Sequence, residues 1–170
     1  MRVAYHHELI VRDELLRLNI EHYLPVKFSQ RLMGGHIRRV QAPVLNIIFV
    51  HSTQDEITQK KMYNEELSYM RYMTNVCQSE EAVSEIMTVS DREMDNFIKA
   101  TRNDDDRIRY LAYTDFLDKE GRKVKVVDGD FYGVEGEIKR IHKDRVVVVC
   151  IRGIAAVALQ IPFNQLEFLT

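Results

Sequence analysis

Val124-Lys125-Val126-Val127-Asp128-Gly129-Asp130-Phe131-Tyr132-Gly133-Val134-Glu135-Gly136-Glu137-Ile138 is the stretch whose reading decides the fold. A β-rich apolar run breaks into three glycines, Gly129, Gly133 and Gly136, with Phe131 between the first two, and then resumes. Glycine supplies positive φ or lets two backbones approach closely, so this spacing predicts a tight, curved turn and not a linker. The order Gly-x-Phe-x-Gly-x-x-Gly is neither a dinucleotide fingerprint nor a phosphate-binding loop, and no helical pattern follows it.

Working downstream, Ile138 and Ile141 lead to a charged turn at His142-Lys143-Asp144-Arg145. Val146-Val147-Val148-Val149-Cys150-Ile151 follows, then a turn at Arg152-Gly153, an apolar run over residues 154–161, Pro162, and a last run ending in Phe168-Leu169. Valine and isoleucine dominate, and no run keeps helical spacing. Some five short strands in about fifty residues predict a small closed β-barrel, because closure removes the edges an open sheet of that size exposes.

Upstream the pattern is mixed. Leu9, Val11, Leu15, Leu16 and Leu18 among charged neighbours predict an amphipathic helix from Glu8 to about Asn19. Residues 20–30 alternate as a strand with Pro25 at an edge or bulge, and Met33-Gly34-Gly35-His36 is the turn of a hairpin. Residues 44–50 form the most apolar strand of this half. Such a strand either has both faces covered or leaves one open for a partner. Residues 55–66 read as a surface helix, residues 68–76 as a strand, and residues 86–89 as a short extended piece. Ser90-Asp91-Arg92-Glu93 is a capping box opening a helix through Phe97 and Ile98. The charged break from Thr101 to Asp106 begins a linker. The expected fold is therefore α+β: an antiparallel sheet with flanking helices over residues 1–101, a linker over 102–120, and a five-stranded β-barrel over 121–170.

The chain carries 24 Lys and Arg against 26 Asp and Glu, a net charge of −2, which is no global nucleic-acid signature. The distribution is uneven. Residues 2–39 carry a net +3, residues 80–120 a net −6, and residues 121–170 a net +2. Cys77 and Cys150 have no close partner in sequence, which reads as a reduced cytoplasmic protein. No apolar run approaches membrane-spanning length, so no membrane association is expected. The six histidines match no His-Glu-x-x-His or Cys/His spacing, and Asp104-Asp105-Asp106 lacks the glycine and terminal glutamate of a calcium loop. No metal, no cofactor and no catalytic constellation is expected, and the chain reads as a binding factor and not an enzyme.

Gly129-x-Phe131-x-Gly133-x-x-Gly136-x-Ile138, with Arg145-Val146-Val147-Val148 and Ile161-Pro162 ahead of Leu166-Glu167, resembles a KOW domain, in particular the C-terminal domain of NusG-type transcription elongation factors. The first part is similar to the N-terminal (NGN) domain of the same family. The matching segments are Ile20-Glu21-His22-Tyr23-Leu24-Pro25, the hairpin into Pro43, and Asn46-Ile47-Ile48-Phe49-Val50. Ile108-Arg109-Tyr110-Leu111 and residues 133–141 look further like the specialised paralogs of bacterial polysaccharide operons. Three departures stand out. Only the end of the family's aromatic-rich first strand is present, the Phe-Pro-Gly-Tyr box reads Val44-Leu45-Asn46-Ile47, and Asp130 stands where many barrels carry proline.

The resemblance implies a transcription elongation or antitermination factor that docks on the clamp helices of RNA polymerase and suppresses pausing or termination. Its docking positions carry over to Val44, Leu45 and Ile47, which read equally as ordinary core. Specialised paralogs also touch the non-template DNA strand near the first helix, where His6, His7 and Arg12 are the nearest candidates. The KOW barrel would recruit a ribosomal protein or the termination factor Rho through Phe131 and Ile154, unless Phe131 simply plugs the barrel mouth. The alternative is a ribosome- or RNA-associated KOW adaptor, against which the net charge speaks, because such proteins neutralise phosphates with an excess of cations.

Overall fold

Within residues 1–75, 85–111, 121–141 and 143–169, which the computed structural model describes, the chain divides into two units, Met1–Thr88 and Val89–Thr170. Cys77, His142, the end of the strand expected over 68–76, and residues 112–120 of the expected linker lie outside the described residues.

In the first unit, helix α1 (Glu8–Arg17) forms where Val11 and Leu15, four apart, turn one face inward; both are fully buried. It stops by a local device. Asn19 takes the left-handed φ of 56°, its N–H bonds to the Leu16 carbonyl, and the Ile20 N–H reaches back to the Leu15 carbonyl at 2.9 Å. This is a Schellman closure, with Ile20 and Leu15 in one apolar cluster as that motif favours. Helix α2 (Gln54–Tyr63) is capped by Thr53 and runs into a 3-10 turn, Glu65–Tyr69. α1 and α2 both pack on that turn.

The short strands β1 (Arg2–Val3) and β6 (Met70–Arg71) pair antiparallel. On its other side β1 meets residues 46–48 through an Arg2–Ile47 bridge, the Val3 N–H donating to the Asn46 carbonyl and the Ile48 N–H to the Met1 carbonyl. That segment continues into β5 (Phe49–His51), which pairs with β2 (Glu21–Tyr23). Val3, Val11, Leu15, Ile20, Leu24, Ile48, Ile57, Leu67 and Met70 close over this arrangement as one core. Each fully buried aliphatic side chain there contributes about 1.5–3 kcal/mol before its entropy cost is counted. β3 (Val26–Met33) and β4 (His36–Pro43) form the expected hairpin, turned by Gly34 and Gly35, both at positive φ.

In the second unit, α3 (Asp91–Thr101) starts at the expected capping box, with Ser90 and Glu93 capping one another. It packs on β10 (Asp144–Ile151) and β11 (Ala155–Leu159). These strands belong to a six-stranded antiparallel sheet, completed by β7 (Ile108–Leu111), β8 (Arg122–Val126), β9 (Glu135–Ile141) and β12 (Leu166–Phe168). Its order is β12-β8-β9-β10-β11-β7.

Here the structure departs from the expected five-stranded barrel. β7 and β12 are the sheet's edges, and no pairing among the described residues closes it. A sixth strand comes from inside the expected linker, because Ile108–Leu111 pairs with β11 in full register from Leu111–Ala156 to Ile108–Leu159. Ile108, Tyr110 and Leu111 of that stretch are thus ladder partners. β10 and β11 are buried over most of their length, which explains their unbroken valine and alanine runs.

Candidate functional site

Val44, Leu45 and Asn46 do not continue as strand. They form bends between β4 and β5, so the strand expected over residues 44–50 shrinks to Phe49–His51. Local chemistry accounts for this. The Val44 N–H is spent on the Pro25 carbonyl at 3.1 Å, closing the base of the hairpin, and Pro43 has no N–H to extend a ladder. Val44 and Leu45 are left half-buried, whereas Ile47 is 6 % exposed and Ile48 fully buried. The three candidate docking positions are therefore brought together but are not equivalent: two present apolar surface to solvent and the third serves mainly as core.

His6 and His7 precede α1 and Arg12 lies midway along it, each in a different state. His6 is exposed and holds φ 68°. His7 stacks on Tyr69, ring centroids 3.8 Å apart, and its Nδ1–H donates to the Tyr5 carbonyl at 2.9 Å. Arg12 donates to Asp13 and to the Gln41 side chain on β4, tying the helix to the hairpin base. Tyr5, the ring beside them, is 74 % exposed.

The glycine turn is built as a closed loop. The Gly133 N–H donates to the Val126 carbonyl and the Val126 N–H to the Val134 carbonyl, both at 2.8 Å, so residues 127–132 arch away from the end of β8. Gly129 and Gly133 both hold φ 82°. Phe131 folds under the arch and is 2 % exposed, with the Arg107 guanidinium 4.9 Å from its ring centroid. Arg107 also bridges Asp105 and Asp130. Its hydrogen bond holds the Asp105 carboxyl below the usual carboxylate range, and Asp105 and Asp130 together push the Arg107 pKa up. Ile154 lies half-exposed in the turn between β10 and β11.

The Asp105–Arg107–Asp130 bridge was not legible in the sequence, where Asp104-Asp105-Asp106 reads as a solvated break. Its signal, an Asp two residues before an Arg, is too common to find it. Among the described residues no group of three or more His, Cys, Asp or Glu is placed to hold a metal ion, and no helix is long and apolar enough to cross a membrane. No family model matches the chain, and no curated protein matches it.

Proposed function

We propose that this chain is a NusG-type transcription elongation or antitermination factor, binding RNA polymerase through its first unit and suppressing pausing or termination in a bacterial polysaccharide operon. The observation that carries the reading is the pair Val44 and Leu45. They stand at the family's docking box, half-uncovered beside the buried Ile47 and held in place by the bond from Val44 to Pro25. Covering such aliphatic surface on a partner is worth about 25 cal/mol per Å², without the ring-edge contacts that aromatics add.

In this reading the factor is a binding protein of the cytoplasm without catalysis or cofactor. His6, His7 and Arg12, before and along α1, meet the non-template strand. The strands of residues 121–169 are the KOW module, which recruits a ribosomal protein or Rho. Ile154 is the contact that solvent reaches, while Phe131 shapes the turn from beneath Arg107.

The test is capture of purified RNA polymerase on the immobilised chain, beside a Val44→Asp/Leu45→Asp variant. Ile47 is left alone because it is buried and bridged to Arg2, so an acid there would report on folding. Retention by the wild type and its loss in the variant, with unchanged melting temperature, is the expected result. Absence of retention by the folded wild type overturns the reading.

A further inference from the structure

The hairpin β3–β4 pairs with no other strand among the described residues, and every residue from Arg31 to Arg39 is exposed. Its charge is one-sided. From His22 to Gln54 the chain carries no acidic residue, although acids outnumber Lys and Arg in the chain as a whole, and Lys27, Arg31, Arg38 and Arg39 all lie on the hairpin.

The register sharpens the point. Arg31 stands directly opposite Arg38, and the next rung sets Leu32 against Ile37. Opposite residues of an antiparallel pair share a face and successive residues alternate, so the two arginines occupy one face and the two aliphatics the other. Like charges directly opposite one another destabilise a ladder. Neither Arg31 nor Arg38 has an ion-pair partner among the described residues. Leu32 and Ile37 are 75 % and 71 % exposed, which folding alone leaves unrewarded. A polyanion offering an apolar floor between its charges answers both faces at once.

We propose that the hairpin β3–β4 is a DNA-binding ribbon that lies in the major groove of a B-form duplex, with Arg31 and Arg38 on the phosphates and Leu32 and Ile37 toward the base edges. Two strands about 4.8 Å apart, with their side chains, match a groove about 12 Å wide, and thymine methyl groups supply its apolar contacts. An RNA duplex is excluded by its deep, narrow major groove. A single strand is disfavoured because it calls for stacking rings. Phe28, the one phenyl ring on the hairpin, already lies under the Arg39 guanidinium at 4.1 Å. The Arg12–Gln41 bond anchors the ribbon's base to α1, so it is presented from a fixed root. This surface is distinct from His6 and His7 and from Val44 and Leu45, and it does not depend on polymerase.

The experiment is fluorescence anisotropy of a labelled DNA duplex about two helical turns long, titrated with the full chain between about 50 and 200 mM salt. The same sequence is run as a single strand and as an RNA duplex. Arg31→Gln/Arg38→Gln should flatten the slope of log K against log salt by about two, at about 0.9 per phosphate released, and weaken binding about tenfold or more. Leu32→Ser/Ile37→Ser should weaken binding and leave the slope unchanged. All four residues are exposed, so unchanged melting temperatures separate these effects from unfolding. Absence of duplex binding at low salt, tighter binding of RNA or single strands, or a wild-type slope in the arginine variant overturns the proposal. Wild-type affinity in Leu32→Ser/Ile37→Ser overturns the groove placement. No polymerase is present, so failure here leaves the polymerase capture test to stand or fall separately.

Discussion

Asn96 on α3 pairs with the backbone of Glu135 at the start of β9 as a strand neighbour would: its Nδ2 donates to the Glu135 carbonyl at 2.7 Å and its Oδ1 accepts from the Glu135 N–H at 2.8 Å. Arg92, one turn earlier on the helix, reaches the Glu135 carboxylate at 2.8 Å. One amide side chain thus satisfies both polar groups of a residue that begins a strand just after the glycine turn. This bond pattern docks α3 onto the sheet of the second unit.

Asn96→Ala is expected to destabilise the chain by about 1–3 kcal/mol, because a half-buried donor and acceptor lose their partner together. Asn96→Asp should cost at least as much, since it sets a carboxylate oxygen against the Glu135 carbonyl. Arg92→Ala, removing a largely exposed ion pair, should cost less than about 1 kcal/mol. Urea denaturation of the three variants orders them, and an Arg92 effect larger than that of Asn96 would show that the exposed ion pair, not the amide, docks the helix.

Gly136→Ala should cost about 1–3 kcal/mol through overpacking. A Cβ built there would stand 2.7 Å from the Val148 carbonyl oxygen and 2.7 Å from a Val147 methyl, and the carbonyl belongs to the ladder and cannot swing aside. Thermal unfolding followed by circular dichroism measures the shift. An unchanged midpoint would mean that β9 and β10 can separate at this point.

Asp105 carries a pH prediction. Its folded pKa lies below the ordinary 3.8, first through the hydrogen bond from Arg107. A depressed carboxylate contributes stability that is fully present above the unfolded pKa and is lost as pH falls through the folded one. The stability difference between wild type and Asp105→Asn should therefore be constant from neutral pH down to about 4 and shrink below it. Denaturation midpoints across that range test this, and a difference that persists to the acid limit would assign the effect of Asp105 to packing.

Much of the local structure could be read from the chain. The Ser90–Glu93 box, the Gly34-Gly35 turn and the Leu15 stripe of α1 each act within a few residues, so the pattern carries its own cause. Residues 44–50 could not be read that way. Their composition calls for a strand, yet the Val44 N–H is claimed by Pro25, nearly twenty residues earlier, and the Ile48 N–H by Met1. Val44, Leu45 and Ile47 could be singled out in the sequence as candidates, but their unequal exposure depends on those distant bonds. The charge pattern of the hairpin was written in the chain, yet Arg31 meets Arg38 and Leu32 meets Ile37 only once the register is set.

The sequence by itself determined where the helices begin, where glycine turns the chain, and the strands that flank the turn from Gly129 to Gly133. Capping, side-chain periodicity and left-handed φ are short-range effects. Only the tertiary structure decided that Ile108–Leu111 leaves the linker to become an edge strand on β11. It also decided that α3 packs on β10 and β11, that Arg107 joins Asp105 to Asp130, and that six strands form a sheet without closing. Backbone donors and acceptors are the same at every residue but proline, so which strands pair is settled by the packing they share and not by the residues of either strand alone.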